Sequence, residues 1–190
     1  MPRLFTAIEI PDALRSELKA LHLPLPGARW VKPEDYHLTL RFAGDINNTV
    51  AREFAANLAG IVANAFALRV SDVGTFGSHD PRAVWAGIEP SAALDTLARA
   101  HERAARNAGL KPEKRSFKAH VTLAHLKNSN PQAVASYLSR YAAYRSEPFA
   151  VTNFVLMSSK PVAGGGPYVT EERFQLQAGA WAQDDDNVAW

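Results

Sequence analysis

The sequence predicts an α+β fold built on antiparallel strands. Three observations carry that expectation. Segments with helically spaced apolar residues interleave with short alternating segments. Several neighbouring strand candidates are joined by turn-length connections, which favours antiparallel pairing over a doubly wound parallel sheet. One short phrase, His-x-Thr-Leu, occurs once in each half, as HLTL from His37 and as HVTL from His120.

The elements follow in order. LFTAIEI (4–10) is rich in β-formers and reads as a strand. Residues 11–23 space Leu14, Leu18 and Leu21 helically and stop at Pro24 and Pro26. ARWV (28–31) is a short extended piece, and 36–44 alternates up to Gly44, as a strand does. Residues 47–65 place Val50, Phe54, Leu58 and Ile61 on one helical face. Strands are expected over 66–76 and 83–89, joined by a Gly-Ser-His-Asp-Pro turn. A long helix over 91–110 has Ser91 as N-cap and Gly109 at its end. A strand over 116–126 and a helix over 130–144 come next. Two strands, 149–159 and 168–177, then flank the Gly164–Gly166 loop. The last residues, 180–190, are acidic at 184–186 and read as a flexible tail.

Composition narrows the functional classes. With 190 residues and 47% hydrophobic content, the chain can bury a sizeable core as one domain or two small lobes. Cysteine is absent, which rules out disulfides and cysteine metal sites and fits a reducing, cytoplasmic setting. The sequence holds no run of about 18 apolar residues, so no membrane span is expected. A net charge of +2 permits an anionic ligand without demanding long nucleic acid. No long apolar stripe is left over once the helices cover the core, and we expect a monomer.

The repeated motif carries the chemistry. In a strand, alternate residues share a face. His37, Thr39 and Arg41 then point one way, and Leu38, Leu40 and Phe42 the other. In the second copy His120 and Thr122 share a face, with Val121 and Leu123 as the buried set. If the two strands share one cleft, two imidazoles and two hydroxyls converge. Hydrolysis of a phosphodiester needs a proton removed from water and a proton given to the leaving oxygen, and histidine can do either near neutral pH. Threonine hydroxyls can hold the phosphoryl oxygens. Arg41 is a candidate for the phosphate charge. A lone strand histidine is ordinarily structural; the duplication argues otherwise here. Zinc needs further ligands, and neither motif is accompanied by a carboxylate or cysteine, so neither metal nor cofactor is expected.

HLTLRFAG and AHVTLAHLK resemble the paired His-x-Thr-x motifs of the 2H phosphoesterase superfamily, and most closely its RNA 2',3'-cyclic phosphodiesterase (2'-5' RNA ligase) family. RLFTAIEIPDALR, RWVKPEDYHLTLRFAGD, GTFGSHDPRAVWAGI and the closing LMSSK…GGGPYVTEERFQL extend the resemblance over nearly the whole chain. It implies a bilobal, pseudo-two-fold α+β domain over 1–179, with two antiparallel sheets, helices outside and a central cleft. It implies metal-independent hydrolysis of RNA-terminal 2',3'-cyclic phosphate to 2'-phosphate, with reversible 2'-5' ligation in some members. Its ligands would be RNA ends or small cyclic-phosphate nucleotides. His37 would be the acid and His120 the base, or the reverse. Two departures stand out. The family usually has Pro where Ala119 stands, and often Arg where His125 stands.

Other residues divide between cleft and core. Phe76 could stack a base, while Trp85 reads as core. Tyr168 follows the glycine run and could close the cleft. His22 and His101 lie on helices and read as surface, and turn chemistry accounts for His79. The Gly164–Gly166 loop lacks the Lys-Ser/Thr of a P-loop, so ATP is not implied. Arg99, Arg103 and Arg106 read as a solvated helix face. Rival readings are a phosphodiesterase for small cyclic phosphates or 2'-5' oligonucleotides, and a non-catalytic module that binds nucleotides or RNA ends.

Overall fold

A computed structural model of the chain describes residues 3–77, 79–159 and 167–179. The acidic tail and the Gly164–Gly166 loop lie outside the described residues.

Strand β1 (Arg3–Glu9) leads into helix α1 (Asp12–Lys19), β2 (Ala28–Trp30) and, after a 3-10 turn at Pro33–Asp35, the first motif strand β3 (His37–Asp45). Helix α2 (Asn48–Ala59), strands β4 (Phe66–Leu68), β5 (Val70–Phe76) and β6 (Ala83–Ile88), and helix α3 (Ala92–Asn107) follow. The second motif strand β7 (His120–Leu126), α4 (Pro131–Arg140), β8 (Phe149–Val151), β9 (Asn153–Ser159) and β10 (Tyr168–Gln175) complete the order.

The main sheet runs β10-β9-β1-β3-β7-β6-β5, with β2 added to β7. Every pair in it is antiparallel. It consists of two halves, one per motif strand, joined through the pair Leu38 and Val121. The expected two sheets therefore meet edge to edge. Both joining residues are fully buried, on the face that packs against the helices. That core also takes in Leu14 and Leu18 of α1, Phe54 and Leu58 of α2, Leu94 and Leu97 of α3, and Val134 of α4. The opposite face carries the motif histidines.

Local chemistry accounts for the helix ends. Side chains of Asn47, Ser91 and Asn130 accept hydrogen bonds from the first turns of α2, α3 and α4. Gly109, at φ +86°, closes α3: its N–H donates to the Arg106 carbonyl, and the Leu110 N–H donates to that of Ala105. Helix α2 is shorter than its alanine-rich sequence suggests. It stops at Gly60, and the Ala63 carbonyl and Ala65 N–H pair instead with the backbone of Gln177.

Two expected strands are each divided. Arg69 separates β4 from β5, and Thr152 separates β8 from β9. The detached pieces pair with each other as a two-stranded ribbon.

Candidate active site

Each motif strand carries one extra residue at the same place. On β3, Thr6 pairs with Arg41 while Ala7 pairs with Thr39, so Leu40 is bulged. On β7, Val84 pairs with Ala124 while Trp85 pairs with Thr122, so Leu123 is bulged. The burial patterns of the two strands match residue for residue through this point. A bulge shifts the alternation by one. It sends Arg41 and Ala124 to the helix side and returns Phe42 and His125 to the motif face.

This overturns the expected role of Arg41. Its side chain is only 7% exposed and pairs with Glu102 of α3. It also donates to the carbonyls of Phe42 and Lys111. The guanidinium is a bolt between sheet and helix, on the side away from the histidines.

The histidines are brought together. The single antiparallel pair Leu38 and Val121 sets His37 and Thr39, which flank Leu38, beside His120 and Thr122, which flank Val121. All four are half-buried on one face. His37 Nδ1–H donates to the Asp35 carbonyl at 2.8 Å, and His120 Nδ1–H to the Lys118 carbonyl at 2.6 Å. In both cases the acceptor lies two residues before the histidine. That shared bond fixes the neutral tautomer and leaves each Nε2 with a lone pair for the cleft. It also explains why β7 begins at His120 rather than at 116: the Lys118 carbonyl serves the imidazole.

Burial disfavours charge on both imidazoles. The His37 pKa is pushed down to about 4, chiefly by desolvation, against the bond to Asp35 and with a contribution from the His120 charge. Desolvation also lowers the His120 pKa, opposed by the Lys118 carbonyl and assisted by the Lys118 ammonium.

Aromatic walls flank each histidine. Tyr168 stands edge-on to His37 with centroids 4.9 Å apart, and Phe5 packs on the same imidazole at 4.9 Å. Phe76, 37% exposed, stands edge-on to His120 at 4.9 Å. Trp85, read as core from the sequence, lies on the motif face beside Thr122 and 6.3 Å from His120. A side chain on Gly74 would strike the indole at 2.2 Å, so the glycine makes room for it. Lys118 covers the same indole at 4.1 Å. Phe5 and Lys118 were missed, and for Trp85 the glycine opposite it was a readable signal of its place on this face.

His125 is exposed on the motif face, and burial with the nearby Arg29 charge lowers its pKa. If the arginine usual at this position helps to hold phosphate, His125 could do so only when protonated, and the lowered pKa works against that. Two of the remaining histidines, His101 and His22, are less exposed than expected. His101 is fully buried, its Nδ1 bonded to the Thr6 hydroxyl at 2.8 Å and its ring against Phe154. His22 is half-buried, stacked on Trp30 and bonded to the Tyr36 hydroxyl. His79 is exposed in the turn after β5. Among the described residues, no three His, Asp or Glu side chains gather in metal-binding geometry. No helix among them is long and apolar enough to cross a membrane.

Comparison with known proteins follows the same two-part plan. The family described as LigT like Phosphoesterase matches residues 7–85 and again 88–168, one match per half. An RNA 2',3'-cyclic phosphodiesterase of Archaeoglobus fulgidus is 30% identical over 161 residues, covering 83% of this chain and 90% of that one. The Escherichia coli protein of the same name is 29% identical, over 92% of this chain and 96% of its own. The crystal structure of E. coli LigT complexed with 3'-AMP superposes with a TM-score of 0.75 at 26% identity, covering 93% and 99% of the two chains.

Proposed function

The chain belongs to the LigT-like phosphoesterase family, and we propose that it hydrolyses 2',3'-cyclic phosphate at RNA ends to a 2'-phosphate, with His37 and His120 as the proton-transfer pair. One observation carries this reading. Two imidazoles, each anchored through Nδ1 to a carbonyl two residues back, present Nε2 to one face beside two threonine hydroxyls.

The chemistry follows from that placement. The cyclic phosphate sits between the imidazoles, with Thr39 and Thr122 donating to its non-bridging oxygens. One Nε2 takes a proton from water as its oxygen bonds to phosphorus. The other, which enters the step protonated, gives its Nε2 proton to the 3' oxygen as the P–O3' bond breaks. The product keeps the phosphate on the 2' oxygen, and one proton has passed through the pair. The two positions are alike in kind, so the side on which the 3' oxygen lies decides which histidine is the acid. With a 5'-hydroxyl in place of water, the same attack would join two ends through a 2'-5' linkage as the P–O3' bond breaks, and the opposite reaction would run with the roles of the histidines exchanged. Each proton transfer contributes about 10²–10⁴-fold. Phe76, Trp85 and Tyr168 supply faces for a base or ribose at the cleft walls.

Comparing kcat/KM on an oligoribonucleotide ending in 2',3'-cyclic phosphate, a cyclic mononucleotide, ADP-ribose 1",2"-cyclic phosphate and 2'-5' oligoadenylate tests this reading. The oligoribonucleotide is expected to be the best substrate. Preference for a small cyclic phosphate or for the 2'-5' linkage would reassign the substrate. Tight binding of a nucleoside monophosphate with no turnover of any of them would reduce the site to a binding module.

A further inference from the structure

A phosphodiester brings one negative charge into the cleft, and attack by water concentrates more on its non-bridging oxygens. Of the four motif side chains only the imidazoles can carry charge, and the one proton the reaction needs on them is given up to the leaving oxygen. Burial disfavours charge on both, and Arg41 is turned to the far side of the sheet. Lys118 lies over the face of Trp85. The site therefore calls for a cation from another element.

Strand β2 provides one. Its three residues add to β7 just beyond the motif, and Arg29 stands directly across from His125. Paired residues of an antiparallel ladder share a face. Because the bulge at Leu123 returns His125 to the motif face, it carries Arg29 there too. Arg29 is exposed on that face. Its influence extends across the cleft. Burial and the Asp35 charge raise the Tyr168 pKa, and the Arg29 charge works against them. The same charge, after burial, lowers the pKa of His125. The guanidinium thus acts on groups at both walls, one of them packed on His37.

We propose that Arg29 is the cation that holds the substrate phosphate, its guanidinium completing the ring of donors begun by Thr39 and Thr122. A guanidinium suits this task, since its planar fork can bind two phosphoryl oxygens at once. His125 is then an uncharged neighbour beside Arg29 rather than the phosphate ligand. This assignment rests on reading the site as a phosphodiesterase.

The test uses the full-length protein, with binding and turnover measured separately. A nucleoside 2'-monophosphate and the same nucleoside without phosphate are titrated into wild type, Arg29→Ala and Arg29→Lys. Arg29→Ala should weaken the monophosphate by tenfold or more and leave the nucleoside unmoved. Its kcat/KM on the cyclic phosphate should fall by about 100-fold, the loss typical of one transition-state donor. Arg29→Lys should fall between, because it restores charge without the fork. The double variant Arg29→Ala/His125→Arg should recover binding, since it returns a guanidinium from the paired position. Equal monophosphate affinity in wild type and Arg29→Ala overturns the proposal, as does equal loss of nucleoside and monophosphate. If wild type hydrolyses no cyclic phosphate, the functional reading fails, while the binding arm still decides the role of Arg29.

Discussion

Leu38 and Val121 are paired across the seam of the two half-sheets, and neither has any exposed surface. That contact sets the spacing of the site. Each residue lies between the histidine and threonine of its own motif. The pair fixes the distance between lobes from the dry side of the sheet while the polar residues face the cleft. The apolar letters of His-x-Thr-Leu are thus as much part of the site as the polar ones.

Removing either imidazole of the proton relay should be severe. His37→Ala and His120→Ala are each expected to lower kcat by 10²–10⁴-fold with little change in circular dichroism. The double variant should lose little more than the worse single one, because the two histidines act as a unit. Single-turnover kinetics on a cyclic-phosphate end would show this. Additive losses would mean independent roles.

The pH profile follows from the lowered pKa values. The competent free protein carries one proton on the pair, and a charge on one imidazole disfavours a second on the other. That form dominates between the lower pKa, about 4 at His37, and the upper one, which burial places below 6.5 at His120. Accordingly, kcat/KM should peak on the acid side of neutrality. Above the upper limb it should fall about tenfold per pH unit, as a single required proton is lost.

Arg41 should behave as a structural residue. Arg41→Ala leaves Glu102 without its partner and frees the carbonyls of Phe42 and Lys111. Chemical denaturation should register a loss of about 2–3 kcal/mol, the scale of hydrogen bonds to a charged group. At a temperature where the variant is folded, KM should match that of wild type. A large rise in KM with unchanged stability would return Arg41 to the cleft.

Buried histidines should make the fold acid-sensitive. The His101 pKa is pushed down to about 3 by desolvation, and that of His37 to about 4. Below about 6.5 the unfolded chain binds protons at these positions that the folded chain refuses. Stability is therefore full above that pH and falls as the pH drops toward the folded values, by roughly 1.4 kcal/mol per unit for each histidine. Replacing the buried imidazole in His101→Gln should remove one histidine's share of this slope, roughly 1.4 kcal/mol per unit, between pH 6 and 4.5. Urea midpoints across that range would measure it.

Much of this was readable from residue order. The helix N-cap Ser91, the alternation through His37–Leu40, and the repetition at His120 each reflect a local rule. What escaped was non-local. Strict alternation predicts Arg41 beside His37; only the register against Thr6 and Ala7 reveals the extra residue at Leu40. Helical placement suggests that His101 is exposed, yet Thr6 and Phe154 enclose it from strands far away in sequence. The breaks at Arg69 and Thr152 exist because each detached segment finds the other. Tertiary partners decided all three.

The most direct test of the central claim is phosphorus NMR of an oligoribonucleotide ending in 2',3'-cyclic phosphate, incubated with the pure protein in excess EDTA. The two-histidine account predicts steady conversion to the 2'-phosphate, unaffected by the chelator. A 3'-phosphate product would contradict the proposed departure of the 3' oxygen, and turnover abolished by EDTA would contradict proton transfer by His37 and His120 alone.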